Sequence, residues 1–147
     1  MKKLLLLAII ATSFSLTSKA QSGYSTAIGV RLSSSVPVIK NGITFKQFLG
    51  KNAVEAILSF GDGAALCGLY EVHKKLGAPN LQWLIGAGGY IGFSSNKNVG
   101  VAGIIGLDYK VPTLPVNLTL DWKPELNLAK TVGFEASGVG FSARFTF

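Results

Sequence analysis

Cysteine, histidine and charge are all scarce in this chain. Its 147 residues include one cysteine, Cys67, one histidine, His73, and only 14% charged residues. A single cysteine excludes an internal disulfide. One Cys and one His cannot close a structural zinc shell, so no metal or cofactor is expected. After the first 20 residues no apolar run approaches the length of a membrane-spanning helix. Basic residues outnumber acidic ones by 14 to 7, but beyond the leader only Lys74 and Lys75 are adjacent. Scattered bases make no electrostatic footprint for nucleic acid, and none is expected as a partner.

What is present begins with "MKKLLLLAIIATSFSLTSKAQ". Two lysines, an apolar run from Leu4 to Ile10 and the small-residue site Ser18-Lys19-Ala20 describe a secretory signal peptide. Cleavage is expected between Ala20 and Gln21, giving a leader of 1–20 and one mature domain of 21–147. The absence of a Cys near the cut argues against a lipid-anchored N-terminus. Without Lys2, Lys3 and Lys19 the bases fall from 14 to 11 against 7 acids, a net charge of +4. A secreted domain of this size without disulfides needs another source of rigidity, and a closed hydrogen-bonded barrel is one.

The mature sequence divides into eight segments of strand length separated by Gly, Pro, Asn, Asp and Ser. They are approximately 24–32, 43–49, 53–60, 64–74, 81–93, 101–111, 116–122 and 139–147. Side chains alternate between faces along a strand. Thr26, Ile28, Val30 and Leu32 thus oppose Ser25, Ala27, Gly29 and Arg31, and the closing "GFSARFTF" sorts the same way. Gly61-Asp62-Gly63 reads as a three-residue hairpin loop pairing Phe60 with Ala64 and Leu58 with Leu66. Gly50-Lys51 reads as a two-residue turn that sets Lys46 opposite Glu55. One conflict remains, because Gln47 falls on the apolar face and Phe48 on the polar face; a bulge there would repair it.

Two-faced strands also suit a soluble lipocalin-like barrel with its apolar row inside. Residue size argues against it. The polar row is rich in Ser25, Ala27, Gly29, Gly86, Gly88, Gly92, Ala102, Gly106, Gly140 and Ser142. Small residues between a few long charged ones suit the narrow interior of eight strands, whereas a solvated exterior has no reason to favour strand glycines. Aromatic placement agrees. With both termini periplasmic, Tyr24, Tyr70, Trp83, Tyr109 and Phe147 form one girdle and Phe60, Phe93, Trp122 and Phe141 the other. The expected fold is therefore all-β: an eight-stranded antiparallel, up-and-down transmembrane β-barrel. Unpaired backbone groups cost several kcal/mol in hydrocarbon, so the eighth strand must pair with the first.

Several stretches carry a family resemblance: "LYEVHKKL", "LQWLIGAGGYIGF", "GIIGLDYKVPTLPVNLTLDWKPEL" and "FSARFTF", about half of the mature chain. With the leader, they resemble the small OmpA/OmpX-type outer-membrane barrels of Gram-negative bacteria. They are closer still to a group of uncharacterised small outer-membrane barrels. The resemblance implies residence in the outer membrane, in contact with its lipid. It also implies recognition of the closing strand, ending in Phe147, by the barrel-assembly machinery. No soluble peptidoglycan-binding domain is expected after the barrel, and a complete aromatic belt is compatible with a monomer.

Chemistry-bearing residues are few. His73 and Glu71 share a face and raise the possibility of an acid–base pair, since some outer-membrane barrels are lipid A deacylases or acyltransferases. Both fall on the inward parity, away from lipid, and no nearby serine stands out as a nucleophile. "GAGGYIG" lacks the spacing and the following helix of a phosphate-binding loop. The informative set is the inward charges: Arg31, Lys46, Glu55, Glu71, Asp108, Lys110, Asp121, Lys123 and Arg144. Buried charges must pair or meet water. In so narrow a lumen they read as a salt-bridged filling. The expected role is non-enzymatic, structural or surface-interacting, with no catalytic residues and with recognition left to the outer segments 123–138 and 33–42. The alternatives are a lipid A-modifying enzyme centred on His73 and a narrow pore.

Overall fold

Alternation of apolar and polar residues dictates strands, and strands are what form. The computed structural model describes residues 23–34, 38–61, 63–93, 98–129 and 131–147. The leader and its Ala20–Gln21 junction lie outside the described residues. Ten strand segments follow one another: β1 (Thr26–Ser33), β2 (Gly42–Leu49), β3 (Asn52–Phe60), β4 (Ala64–Lys75), β5 (Leu81–Gly92), β6 (Asn98–Lys110), β7 (Val116–Trp122), β8 (Glu125–Asn127), β9 (Gly133–Glu135) and β10 (Val139–Thr146).

Eight of these build the wall. Neighbours run β5-β4-β3-β2-β1-β10-β7-β6, and β5 also pairs with β6, so the antiparallel sheet closes on itself. The seam joins the chain's ends: Ala27 lies opposite Thr146 and Ser33 opposite Gly140. Thr26 N–H donates to the Phe147 carbonyl at 3.0 Å, which places the beginning of β1 and the end of β10 at one mouth. This proximal mouth also carries the turns after β2, β4 and β6. The distal mouth carries the two longest connections, after β1 and after β7.

Hairpin registers match the turn chemistry. Gly50, at φ 73°, supplies the left-handed residue of the two-residue turn, and Lys46 faces Glu55 in the resulting ladder. Across the next turn Leu58 faces Leu66 and Phe60 faces Ala64. The β2–β3 pairing runs unbroken from Gly42↔Ser59 to Leu49↔Asn52, so no bulge repairs the Gln47–Phe48 conflict. Phe48 instead points inward and is buried. Gln47 stays on the outer face, where its amide accepts from Thr26 Oγ1 (2.7 Å) and donates to the Ser25 carbonyl (3.0 Å). Local hydrogen bonds, not a change of face, accommodate the misplaced polar group.

A second departure concerns the segment 123–138, expected as an irregular loop. One register runs from Lys110↔Asn117 through Ile105↔Trp122 to Gly100↔Asn127, so β8 continues β7 along β6. Pro124 sits between them without breaking the strand, because its carbonyl still accepts from Gly103 N–H at 2.9 Å. β9 then folds back on β8, with Leu126 opposite Phe134. This hairpin rises beyond the β10 side of the barrel. Trp122 Nε1 donates to the Ala136 carbonyl at 2.6 Å where it rejoins the wall.

The barrel is inverted relative to a soluble protein. Ile28, Val30, Leu66, Ile105, Leu120 and Phe145 are exposed on the outside, while Arg31, Lys46, Glu55, Lys123 and Arg144 are enclosed. Two apolar clusters lie inside as well. Tyr24, Ala27, Phe48 and Ala53 cluster toward the proximal mouth. Ile39, Ile57, Ala65, Cys67, Leu69, Leu84, Tyr90, Ala102 and Ile104 cluster from mid-barrel toward the distal mouth.

Candidate functional site

The lumen gathers the chemistry of the chain, and glycine makes room for it. Gly29 faces Arg144 across β1–β10, Gly86 faces Glu71 across β4–β5, and Gly106 and Gly140 flank Asp121 from β6 and β10. A β-carbon at Gly140 would fall on the Arg31 guanidinium, within 2.5 Å of its central carbon. Long side chains lie against bare backbone because the neighbouring strand offers no side chain of its own.

Arg144 is the hub. Its guanidinium pairs with Glu55, and it donates to Thr44 Oγ1 (3.1 Å), Asn117 Oδ1 (3.1 Å) and Thr119 Oγ1 (2.7 Å). Thr44 in turn donates to Glu55. Asp108 accepts from Asn117 Nδ2 (2.5 Å) and Thr119 Oγ1 (3.1 Å). Lys46 Nζ sits among three carboxylates: Glu71 at 2.8 Å, Asp108 at 3.4 Å and Glu55 at 3.7 Å. One connected network therefore spans β2, β3, β4, β6, β7 and β10. Each charge in this layer has an oppositely charged partner, which offsets much of the desolvation penalty of burial, while Glu55 Oε2 and Glu71 Oε1 are enclosed without a hydrogen bond.

Two further pairs stand above this layer. Arg31 grips Asp121 with both terminal nitrogens at 2.6 Å, the bidentate geometry that suits a planar guanidinium. Lys123 Nζ contacts Glu125 Oε1 at 2.5 Å. Glu125 is buried and belongs to the interior set, although it was absent from the sequence-derived one. It lies two residues beyond Lys123 on the same face, a signal that is readable once the strand is carried through Pro124. Ser142, expected on the inward row, is buried there, and Thr44, Asn117 and Thr119 are buried beside it as the hydrogen-bond partners of the charges. Lys110 departs from it: its Nζ turns to the Val111 (2.9 Å) and Leu114 (2.8 Å) carbonyls at the proximal rim.

Both ends of the charged layer are covered. Proximally, the rings of Tyr24 and Phe48 meet edge to face at 5.0 Å, and Phe48 lies 4.8 Å from the His73 ring. Tyr24 is thus a lumenal plug rather than part of the outer girdle. It precedes β1, where strand alternation no longer fixes direction, and the left-handed Gly23 turns the chain there. Distally, Ile39 from the β1–β2 connection is completely buried, anchored by Lys40 N–H donating to Ser59 Oγ at 2.6 Å. The connection expected as a free outer segment therefore sends a side chain down into the barrel.

His73 Nε2 lies 2.9 Å from Glu71 Oε2, so the sequence-paired residues do meet. Glu71 is shared with Lys46, and the dyad is roofed by Phe48. The remaining girdle residues lie outside. Phe60, Tyr70, Phe93, Tyr109, Trp122, Phe141 and Phe147 are exposed, and Trp83 is half-buried beneath Lys74, whose Nζ lies 5.5 Å from the ring centre.

Among solved structures, the crystal structure of Neisserial surface protein A (NspA) is similar to this chain. The two share 12% identity with a TM-score of 0.48, over 84% of this chain and 95% of that one. No family model and no curated protein matches the sequence.

Proposed function

We propose that this chain is an outer-membrane β-barrel that works as a closed structural or surface-interaction protein, with the proximal mouth and both termini in the periplasm. The observation that carries the proposal is the inversion of the wall. Apolar side chains cover the outside of a closed sheet, while charged ones fill its inside. An apolar exterior on this scale is unfavourable in water by roughly 25 cal/mol per Å² and favourable in a bilayer. Wall strands of 7 to 13 residues suit the roughly 9–11 residues a tilted strand needs to cross. Assembly would proceed through β10, whose outer row is Phe141, Ala143 and Phe145.

A non-enzymatic, non-conducting role is part of the same proposal. Plugs at both mouths and a paired charge layer between them leave little continuous path for ions. Glu71 and His73 face into this filling rather than toward lipid acyl chains. Planar-bilayer recording with the refolded protein tests the closed lumen. No stepwise conductance is expected, and regular unitary steps would replace this reading with a pore.

A further inference from the structure

Where the β8–β9 hairpin rises over the distal mouth it borders a half-open cavity of about 150 Å³. Val38, Tyr90, Glu125, Asn127 and Glu135 line it, and the β9 backbone from Gly133 closes one side. Two acidic residues line it in an arrangement that strand pairing disfavours. Glu125 and Glu135 are directly opposed in the β8–β9 ladder, on the same face, and like charges in that position repel. Glu125 is 1% exposed, and although Oε1 is taken by Lys123, Oε2 is enclosed without a hydrogen-bond partner. The Ser137 hydroxyl and amide bond Glu135 and hold its carboxyl below the usual carboxylate range, so it is charged at neutral pH. Lys123 neutralises one of the two carboxylates, which leaves the cavity with an excess negative charge.

The rest of the wall is not built for a hard metal ion. Lys123 at 2.5 Å already occupies one Glu125 oxygen, so a divalent cation would find only Oε2 of that carboxylate, too few oxygens for a hard ion. Asn127 spends its side chain on Ala129 N–H and Asn98. Among the described residues no group of three His, Cys, Asp or Glu side chains could hold a metal. The remaining lining is Val38, Phe134 of β9 and Tyr90, whose phenol end lies directly over Gly100 of β6, where any β-carbon would collide with it. A carboxylate pair beside an aromatic ring and an aliphatic wall is the chemistry that recognises an alkylated ammonium group.

We propose that the distal chamber between Tyr90 and the Glu125–Glu135 pair binds a small organic cation carrying a primary or quaternary ammonium. The outer-membrane reading says only from which side such a ligand arrives. Binding to the isolated barrel is independent of it, so the two can fail separately.

The test is calorimetric titration of the full, refolded barrel in micelles with choline, with its neutral carbon isostere 3,3-dimethyl-1-butanol, and with calcium chloride. Choline is expected to bind saturably and the neutral alcohol not to bind. Glu125→Gln should weaken choline about tenfold and Glu135→Gln about threefold. Tyr90→Leu should abolish binding, and Tyr90→Phe should retain it because the ring face is the contact. Glu135 lies on the outer hairpin, so Glu135→Gln decides the matter if Glu125→Gln does not fold. Equal binding of choline and the alcohol, no binding of choline, unchanged affinity in the charge variants, or displacement of choline by calcium would each overturn the proposal.

Discussion

Lys46 stands directly opposite Glu55 in the β2–β3 ladder, yet its ammonium is 3.7 Å from Glu55 and 2.8 Å from Glu71 on the next strand. Glu55 is held instead by Arg144 from the far side of the seam. Register decides which residues enter the lumen; the lumen then decides which charges pair. A side chain of lysine length can reach past its ladder partner, and the carboxylate left behind takes the stronger, geometrically matched guanidinium.

Unfolding cycles in micelles should reflect this hierarchy. Removing Arg144 or Glu55 alone leaves a buried charge unpaired and is expected to cost about 3–5 kcal/mol. The Arg144–Glu55 coupling energy should exceed the Lys46–Glu55 coupling. Equal couplings would mean that ladder opposition, and not the observed contact, sets the pairing.

Gly140→Ala should destabilise the barrel by about 1–3 kcal/mol, because the new methyl group displaces the Arg31 guanidinium from Asp121. Gly68→Ala, on the outer face with nothing within 4 Å, is the control and should be neutral or slightly stabilising. Similar urea midpoints for the two variants would contradict the packing of Arg31 against β10.

Cys67 is fully buried in the distal cluster. The native thiol should therefore resist maleimide in the folded barrel and react completely in denaturant. Mass spectrometry reads the outcome without any substitution. Rapid labelling of the folded form would place the Cys67 row outside.

Lipid A should be unaltered by this chain. Mass profiles from an overexpressing strain and from its His73→Ala counterpart are expected to match each other and the parent strain. A shift in acyl chain number that depends on His73 would make the Glu71–His73 dyad catalytic.

Much of this architecture was legible in the residues, for physical reasons that also mark where legibility ended. Alternation and turn chemistry specified the wall, because inward glycines opposite Arg144, Glu71 and Asp121 have no purpose except to admit large partners. Alternation says nothing outside a strand, so Tyr24 and Ile39, both just beyond strand ends, gave no sign of turning inward. Phe48 was misjudged for the opposite reason: its parity was correct, and its chemistry suggested a bulge that a continuous ladder does not need. Pro124 concealed the β7–β8 continuity and Glu125 with it, since a proline is ordinarily a reason to end a strand. Ion pairing was readable only within one strand or one hairpin, as for Glu71–His73 and the longer Lys46–Glu55 contact; pairs such as Arg31–Asp121 and Arg144–Glu55 depend on which strands meet across the lumen.

The orientation of the wall is tested most directly by the two native tryptophans, Trp83 toward one mouth and Trp122 toward the other. Both lie on the outer face, and Trp122 is 42% exposed. Refolded into vesicles whose acyl chains carry bromine, the protein should show strong quenching of tryptophan emission and should resist extraction by alkaline wash. Unquenched emission from protein that washes off the vesicles would contradict an apolar wall facing lipid, and the outer-membrane assignment with it.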